Sequence, residues 1–197
     1  YSQNNLDKVT QPYILETFGV EVARCDTLEQ YTDAINDASL DRYFSKYWDN
    51  DMKKWKYSGL ALVDEVNSLR PRAVLDVGCG YNEFKGKIDN LIGIDPYNDK
   101  ADIQVSTLEY RTTQKFDVML CLGSVNFGRR DKIISEVGRC VDLLEDGGTM
   151  FFRVNPGVQH NKPEAKWIEF FAWNVPFIIE LSEIFNLKVL DIRDDSN

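Results

Sequence analysis

The sequence holds one histidine, no Cys-x-x-Cys pair and no apolar run approaching a membrane span. With one imidazole and four scattered cysteines, the usual zinc ligand spacings are missing, so no metal is expected. A bilayer-spanning helix needs about 20 apolar residues in succession, so no membrane partner is expected either. Residues 1–10 are polar and do not read as a signal peptide. Positive charge is scarce: 23 Lys and Arg stand against 32 Asp and Glu, a net charge of −9. A protein that tracks a phosphate backbone carries a basic patch or stripe, so no nucleic-acid partner is expected. No segment repeats at a solenoid period. No GxxxxGK[ST] follows an apolar run, which excludes a Walker-type loop.

What is present suits an ordinary globular chain. Its 197 residues suffice for one substantial core, and 43% hydrophobic with 28% charged residues is a usual balance. Cys79, Cys121 and Cys140 lie in apolar stretches where cysteine acts as a small hydrophobe, and a reducing, cytoplasmic setting fits them. The oligomeric state is not legible.

The chain turns on Val74-Leu75-Asp76-Val77-Gly78-Cys79-Gly80. An apolar run cut off by glycines reads as a buried strand ending in a tight turn. A short helix is expected next, then a second apolar run, Leu91–Ile94, closed by Asp95 and Pro96. An acid about 20 residues past such a loop is placed to accept hydrogen bonds from ribose hydroxyls. A dinucleotide loop needs a third glycine where Glu83 stands, which counts against NAD. Tyr81 and Lys85 have the spacing of a Tyr-xxx-Lys pair, and their place inside the loop makes that a chance match.

Residues 1–24 show no clean period, with Tyr13–Leu15 and Val20–Val22 as short strands or loop. Thr27 and Gln30 resemble a capping box before a helix carrying Leu28, Tyr31 and Ile35. Leu40, Tyr43, Phe44, Tyr47, Trp48, Met52 and Trp55 form a second helical stripe, most simply a packing face. Ser58 caps a third helix with Leu62, Val63, Val66 and Leu69. Beyond residue 72, strands alternate with helices or short connections, the pattern of a parallel sheet with crossovers. Expected strands are Ala73–Val77, Leu91–Ile94, a weak one near Asp102–Val105, Phe116–Leu122, Thr149–Val154 after a turn at Glu145–Gly148, and Leu187–Ile192. Helices are expected from Asp131, over Trp167, Phe170 and Phe171, and from Pro176.

In order and spacing, VLDVGCG at 74–80, LIGIDP at 91–96, FDVMLCLGSV at 116–125 and LLEDGGTMFFRV at 143–154 resemble the class I S-adenosylmethionine-dependent methyltransferases. The resemblance covers residues 58–193. It implies an α/β, Rossmann-like doubly wound fold, a mostly parallel sheet with helices on both faces. An N-terminal helical extension or lid, residues 1–57, would pack on a cofactor-binding domain, residues 58–197. The resemblance further implies S-adenosylmethionine as cofactor and S-adenosylhomocysteine as product. Asp76, Gly78, Cys79 and Gly80 would line the methionine end. Asp95 would take the ribose, with Pro96 and Tyr97 beside the adenine and Ser106, Thr107 and Leu108 at its edge. Leu122, Gly123 and Ser124 would lie under the sulfonium. The sequence departs from the pattern at Asn82, where the family carries a third glycine, and at Ser106, where it often carries an acid. The family's final antiparallel strand has no counterpart here.

The acceptor is less legible. Amino-methylating nucleic-acid enzymes of this family carry [DNS]-PP-[YFW] after the fourth strand, where this chain reads Leu122-Gly123-Ser124-Val125-Asn126-Phe127. With the acidic balance, that points to a small-molecule or peptide acceptor. The segments 40–55 and 156–177 would be the acceptor-selecting lids. His160 is the weak candidate for a general base, against a solvated loop residue as the plainer reading. Lys56 and Tyr57 are candidates for the cofactor carboxylate, against a solvated lysine and a packed tyrosine. The competing functions are a methyltransferase-like scaffold without turnover and, less favoured, an NAD-binding oxidoreductase.

Overall fold

The computed structural model describes residues 11–48, 58–158 and 162–194. The chain divides into two compact units, Tyr1–Trp48 with Gln159–Phe170 and Asp49–Val158 with Phe171–Asn197. This division assigns 159–170 to the smaller unit, whereas the sequence reading draws one boundary after residue 57.

In the smaller unit, α1 (Gln11–Phe18) forms where the sequence suggested strand or loop. Its helical spacing places Ile14 and Phe18 on one side, and Ile14 is fully buried with Val20 and Tyr31. α2 (Leu28–Arg42) begins with the expected capping box: Gln30 N–H donates to Thr27 Oγ1, and Thr27 N–H to Gln30 Oε1, each at 3.2 Å. The two helices expected from residue 27 to 48 are one, because α2 runs straight into a π-helical turn at Tyr43–Tyr47. Met52 and Trp55, the rest of that stripe, lie outside the described residues.

In the larger unit, a 3₁₀ turn at Ser58–Leu62 leads into α3 (Val63–Ser68). β1 (Val74–Val77), β2 (Leu91–Ile94), β3 (Phe116–Leu122) and β4 (Leu144–Arg153) follow, with α4 (Arg130–Leu143) between the last two and α5 (Val175–Ile184) after them. The four strands are parallel in the order β2-β1-β3-β4. Side chains alternate across a strand, so Val74, Val118 and Leu120 pack on one face with Val66 of α3, Phe84 and Ile88. Leu75, Val77, Met119 and Cys121 pack on the other with Ile133 and Val137 of α4 and Phe177 and Leu181 of α5. Asp117 sets where β1 starts beside β3 by accepting Arg72 N–H at 2.8 Å and Ala73 N–H at 2.9 Å. Burial alone would raise its pKa; these bonds outweigh that and hold it below the usual carboxylate range.

Several expected elements take another form, each for a local reason. No helix joins β1 to β2; residues 81–90 are a series of turns in which Asn82 and Asn90 have positive φ, which breaks a helix. The weak third strand is reduced to one bridge between Ile94 and Ile103. α4 starts at Arg130, one residue before the expected cap, and Asp131 sits in its first turn where an acid suits the helix dipole. The Glu145–Gly148 turn is a bulge within β4: Leu144 pairs with Phe116 and Thr149 with Val118. Trp167, Phe170 and Phe171 form no helix. Trp167 meets the Phe18 ring at 5.0 Å in the smaller unit, and Phe171 meets the Phe177 ring at 4.8 Å in the larger. α5 is capped by Asn174, whose Oδ1 accepts Phe177 N–H at 2.9 Å, two residues before the expected start at Pro176. Residues 187–192 are not a strand; Leu190 is 70% exposed and Ile192 52%. Apolar alternation makes a strand only where a neighbouring ladder takes up its backbone groups.

Cys121 and Cys140 face each other across β3 and α4 with sulfurs 3.9 Å apart, both fully buried. Their mutual contact, then burial, pushes the Cys121 thiol well up. A thiol-reactive dye should therefore label Cys25, which is part-exposed, well before the other three, with all four reacting in denaturant. Fast labelling of more than one thiol in the native protein would contradict this packing. No described helix is long and apolar enough to cross a membrane.

Candidate cofactor site

The site begins where β1 ends. Gly78 N–H and Cys79 N–H both donate to Ile94 O, at 2.8 and 3.0 Å, so the loop after β1 is tied to the end of β2. Gly78 and Gly80 have φ of +67° and +54°, and the chain turns back sharply there. Asp95, at the end of β2, is buried and accepts from three backbone groups. Gly80 N–H reaches its Oδ2 at 3.0 Å, and Tyr97 and Asn98 N–H reach its Oδ1 at 2.8 and 2.9 Å. These bonds leave little of its hydrogen-bonding capacity for an incoming hydroxyl.

Asp76 contrasts with Asp95. It is 3% exposed, and burial followed by the nearby Asp95 charge pushes its pKa up to about 7. Among the described residues no hydrogen bond offsets either effect. Across the loop, a Cβ on Gly78 would lie 2.3 Å from the Ser124 Cβ, so Gly78 and the turn after β3 are in close contact. The Ser124 hydroxyl is buried, with no hydrogen-bond partner among the described residues. A buried hydroxyl or carboxyl left without a hydrogen bond costs stability unless something polar completes it. Cys79 is buried, and burial, then the charges of Asp76, Asp95 and Asp102, drive its thiol pKa far up, which suits packing rather than nucleophilic attack.

No protein-family model matches the chain, and no curated protein does. Solved structures do. N-methyltransferase NodS from Bradyrhizobium japonicum WM9, crystallised with S-adenosyl-L-homocysteine, gives a TM-score of 0.52 at 19% identity over 74% of this chain and 83% of that one. The 1,6-didemethyltoxoflavin-N1-methyltransferase of Burkholderia thailandensis gives 0.58 at 15% identity over 84% and 83%. The DhpI complex with SAH gives 0.55 at 11% identity over 75% and 85%. The fold is that of the class I S-adenosylmethionine-dependent methyltransferases.

Within this methyltransferase fold, Gly78, Cys79, Gly80 and Asp95 are joined by the contacts above, Asp76 lies close enough to feel the Asp95 charge, and Gly78 adjoins Ser124. Pro96 and Tyr97 are half-buried just past Asp95, and Gln104 Nε2 reaches Pro96 O at 3.3 Å. Leu122 and Gly123 are half-buried at the end of β3. Thr107 and Leu108 sit in a turn in which Glu109 and Tyr110 N–H donate to Ser106 O; Leu108 is 37% exposed. Ser106 also donates to Glu109 Oε2 at 2.6 Å, which brings a carboxylate to the segment whose usual acid is missing. His160, Lys56 and Tyr57 lie outside the described residues.

Two asparagines, one of them in the Asn155-Pro156-Gly157 turn that ends β4, hold the strand ends together. Asn126 is buried, donates to Gly123 O at 3.1 Å and accepts Asn155 N–H at 2.9 Å, linking the turns after β3 and β4. Asn155 Oδ1 in turn accepts Gly157 and Val158 N–H at 2.8 and 2.7 Å. The Asn155 turn is a local pattern, but its tie to Asn126, 29 residues away, is one that no local pattern marks.

Proposed function

We propose that the chain binds S-adenosylmethionine in the site around Asp76, Gly80, Asp95 and Ser124 and transfers its methyl group to a small-molecule or peptide acceptor. The observation that carries this reading is the buried carboxyl of Asp76 near the end of a parallel strand, with no hydrogen bond among the described residues to offset its burial. A ligand ammonium would satisfy it as a charge-assisted partner. The unpartnered Ser124 hydroxyl is a second polar group awaiting one. Asp95 would offer its remaining lone pair to the ribose, and Tyr97, Leu108 and the Ser106–Glu109 pair would border the adenine.

S-adenosylmethionine supplies an activated methyl on a sulfonium, so the protein's main work is alignment. Alignment of two reactants is worth about 7–11 kcal/mol in well-ordered cases. Here the glycine loop and the Asn126–Asn155 link would fix the walls between which an acceptor nitrogen, oxygen or carbon approaches. An acceptor that holds its proton at neutral pH needs a base, for which His160 remains the candidate by its place after β4. Small-molecule acceptors are supported by the toxoflavin-precursor enzyme among the structural neighbours. The free cysteines suit the proposed cytoplasmic setting.

Calorimetry with S-adenosylmethionine, S-adenosylhomocysteine and NAD tests the reading. Binding of the first two and not the third is the expected result; NAD binding alone would overturn it. Binding without turnover across an amine and phenol acceptor panel would favour the scaffold alternative.

A further inference from the structure

Asn82 stands where the resemblance leads one to expect a glycine, and its backbone has the φ of +57° that glycine tolerates best. Its side chain is put to use. Asn82 is 9% exposed, and its Nδ2 donates to Lys100 O at 3.1 Å and Asp102 Oδ2 at 3.4 Å. Both partners are acceptors, which settles the orientation of the amide. Asn82 N–H donates to Cys79 O at 2.9 Å, so one residue grips the glycine loop by its backbone and the 95–102 loop by its side chain. The 95–102 loop is itself closed onto β2. Asp102 N–H donates to Gly93 O at 2.9 Å, and Asp102 Oδ2 accepts Gly93 N–H and Lys85 Nζ, each at 2.8 Å.

The glycine loop and the loop carrying Asp95 are thus fastened at two places, Gly80 to Asp95 and Asn82 to Lys100 and Asp102. The Lys85–Asp102 ion pair is half in solvent and contributes little by itself. The Asn82 amide is the less solvent-exposed tie, donating through Nδ2 while its Oδ1 is buried with no partner among the described residues. Room for it exists because residue 93 has no side chain: a Cβ on Gly93 would lie 2.5 Å from Asn82 Oδ1 and 2.8 Å from Cys79 Sγ.

We propose that Asn82 is a positioning residue that holds the glycine loop at a set distance from Asp95, so that both ends of the cofactor meet preorganised partners. The proposal rests on the function proposed above. Its test uses two variants that break the clasp by different routes. Asn82→Gly relieves the left-handed backbone and deletes the amide; Gly93→Ala keeps the amide and displaces it. Both should weaken S-adenosylhomocysteine binding at least tenfold in calorimetry. Both should also speed hydrogen exchange at the Gly80 amide at least tenfold in the ligand-free protein; Asn82→Gly should melt within a few degrees of wild type, and Gly93→Ala, which also crowds Cys79 Sγ, lower. If Asn82 only supports folding, melting falls while affinity and Gly80 exchange stay as in wild type, and the proposal is overturned. If wild type binds no S-adenosylhomocysteine, the proposed function fails. The exchange rate at Gly80 then decides the clasp by itself: faster in both variants supports it, unchanged overturns it.

Discussion

An Asp76→Asn variant should gain stability relative to wild type as pH rises from 5 to 8, and at pH 8 it should bind S-adenosylhomocysteine far more weakly. Burial, then the Asp95 charge, raises Asp76 from an ordinary 3.8 to about 7 in the folded state. Below about pH 4 the group is protonated folded and unfolded, so it contributes no penalty. Between there and pH 7 the unfolded chain releases this proton and the folded chain keeps it, so stability falls as pH rises, and above 7 the loss is complete. The whole shift of about three units corresponds to at most about 4 kcal/mol. About two of those units lie between pH 5 and 7, so the variant's relative gain over that span is about 3 kcal/mol. At roughly 2–4 °C per kcal/mol for a chain of this size, the gap between the two melting temperatures should widen by about 6–12 °C. Asparagine brings a buried N–H₂ that costs about 1–3 kcal/mol if unpaired, but that cost does not change with pH. Calorimetric melting at pH 5 and pH 8 checks the difference. A constant gap would mean that Asp76 is not held protonated. For the same reason wild-type affinity for the ligand should fall toward tenfold per pH unit below pH 7, because a cationic tail needs the ionised carboxylate.

Gly78→Ala should lose ligand binding and melt well below wild type. Two separate costs add here. At φ +67° an alanine is strained by roughly 1–3 kcal/mol. Its Cβ would also sit 2.3 Å from the Ser124 Cβ, and such overpacking costs typically about 1–3 kcal/mol. Gly147 separates the two: its φ is +76°, yet a Cβ there meets nothing within 4 Å. Gly147→Ala should therefore show the strain alone and keep its affinity. Adding Ser124→Gly to Gly78→Ala should recover the steric part of the stability and leave the strain. Denaturant melts of wild type, Gly78→Ala, Ser124→Gly and the double variant form the cycle, with Gly147→Ala as the strain reference. Equal losses at Gly78 and Gly147 would remove the contact with Ser124 from the explanation.

The glycine loop shows how far local pattern reaches. Val74–Gly80 reads as strand and turn from composition, because four apolar or acidic residues followed by two glycines have few other solutions. Gly78 and Gly80 do carry the positive φ that such a turn requires. The same reading treats Asn82 only as a residue that tolerates an unusual backbone. Its value as a tie to Lys100 and Asp102 depends on where another loop lies, about 20 residues on. Trp167 and Phe171 make the same point. A shared helical face is a reasonable inference from their spacing, yet each finds an aromatic partner in a different unit.

Sequence by itself determined where the four strands lie, their parallel sense, the capping box at Thr27 and the acids late in β1 and just past β2. These follow from short-range preferences: apolar runs that need burial on both faces, and glycine where the chain must turn. Tertiary structure alone decided that residues 187–192 pair with nothing in the sheet, that the Asp95 carboxylate is already held by Gly80, Tyr97 and Asn98, and that the Asp76 carboxyl has no hydrogen bond among the described residues. Hydrogen-bond partners and loss of water are sums over distant parts of the chain, so two aspartates that look alike in sequence acquire opposite roles only when the fold closes around them.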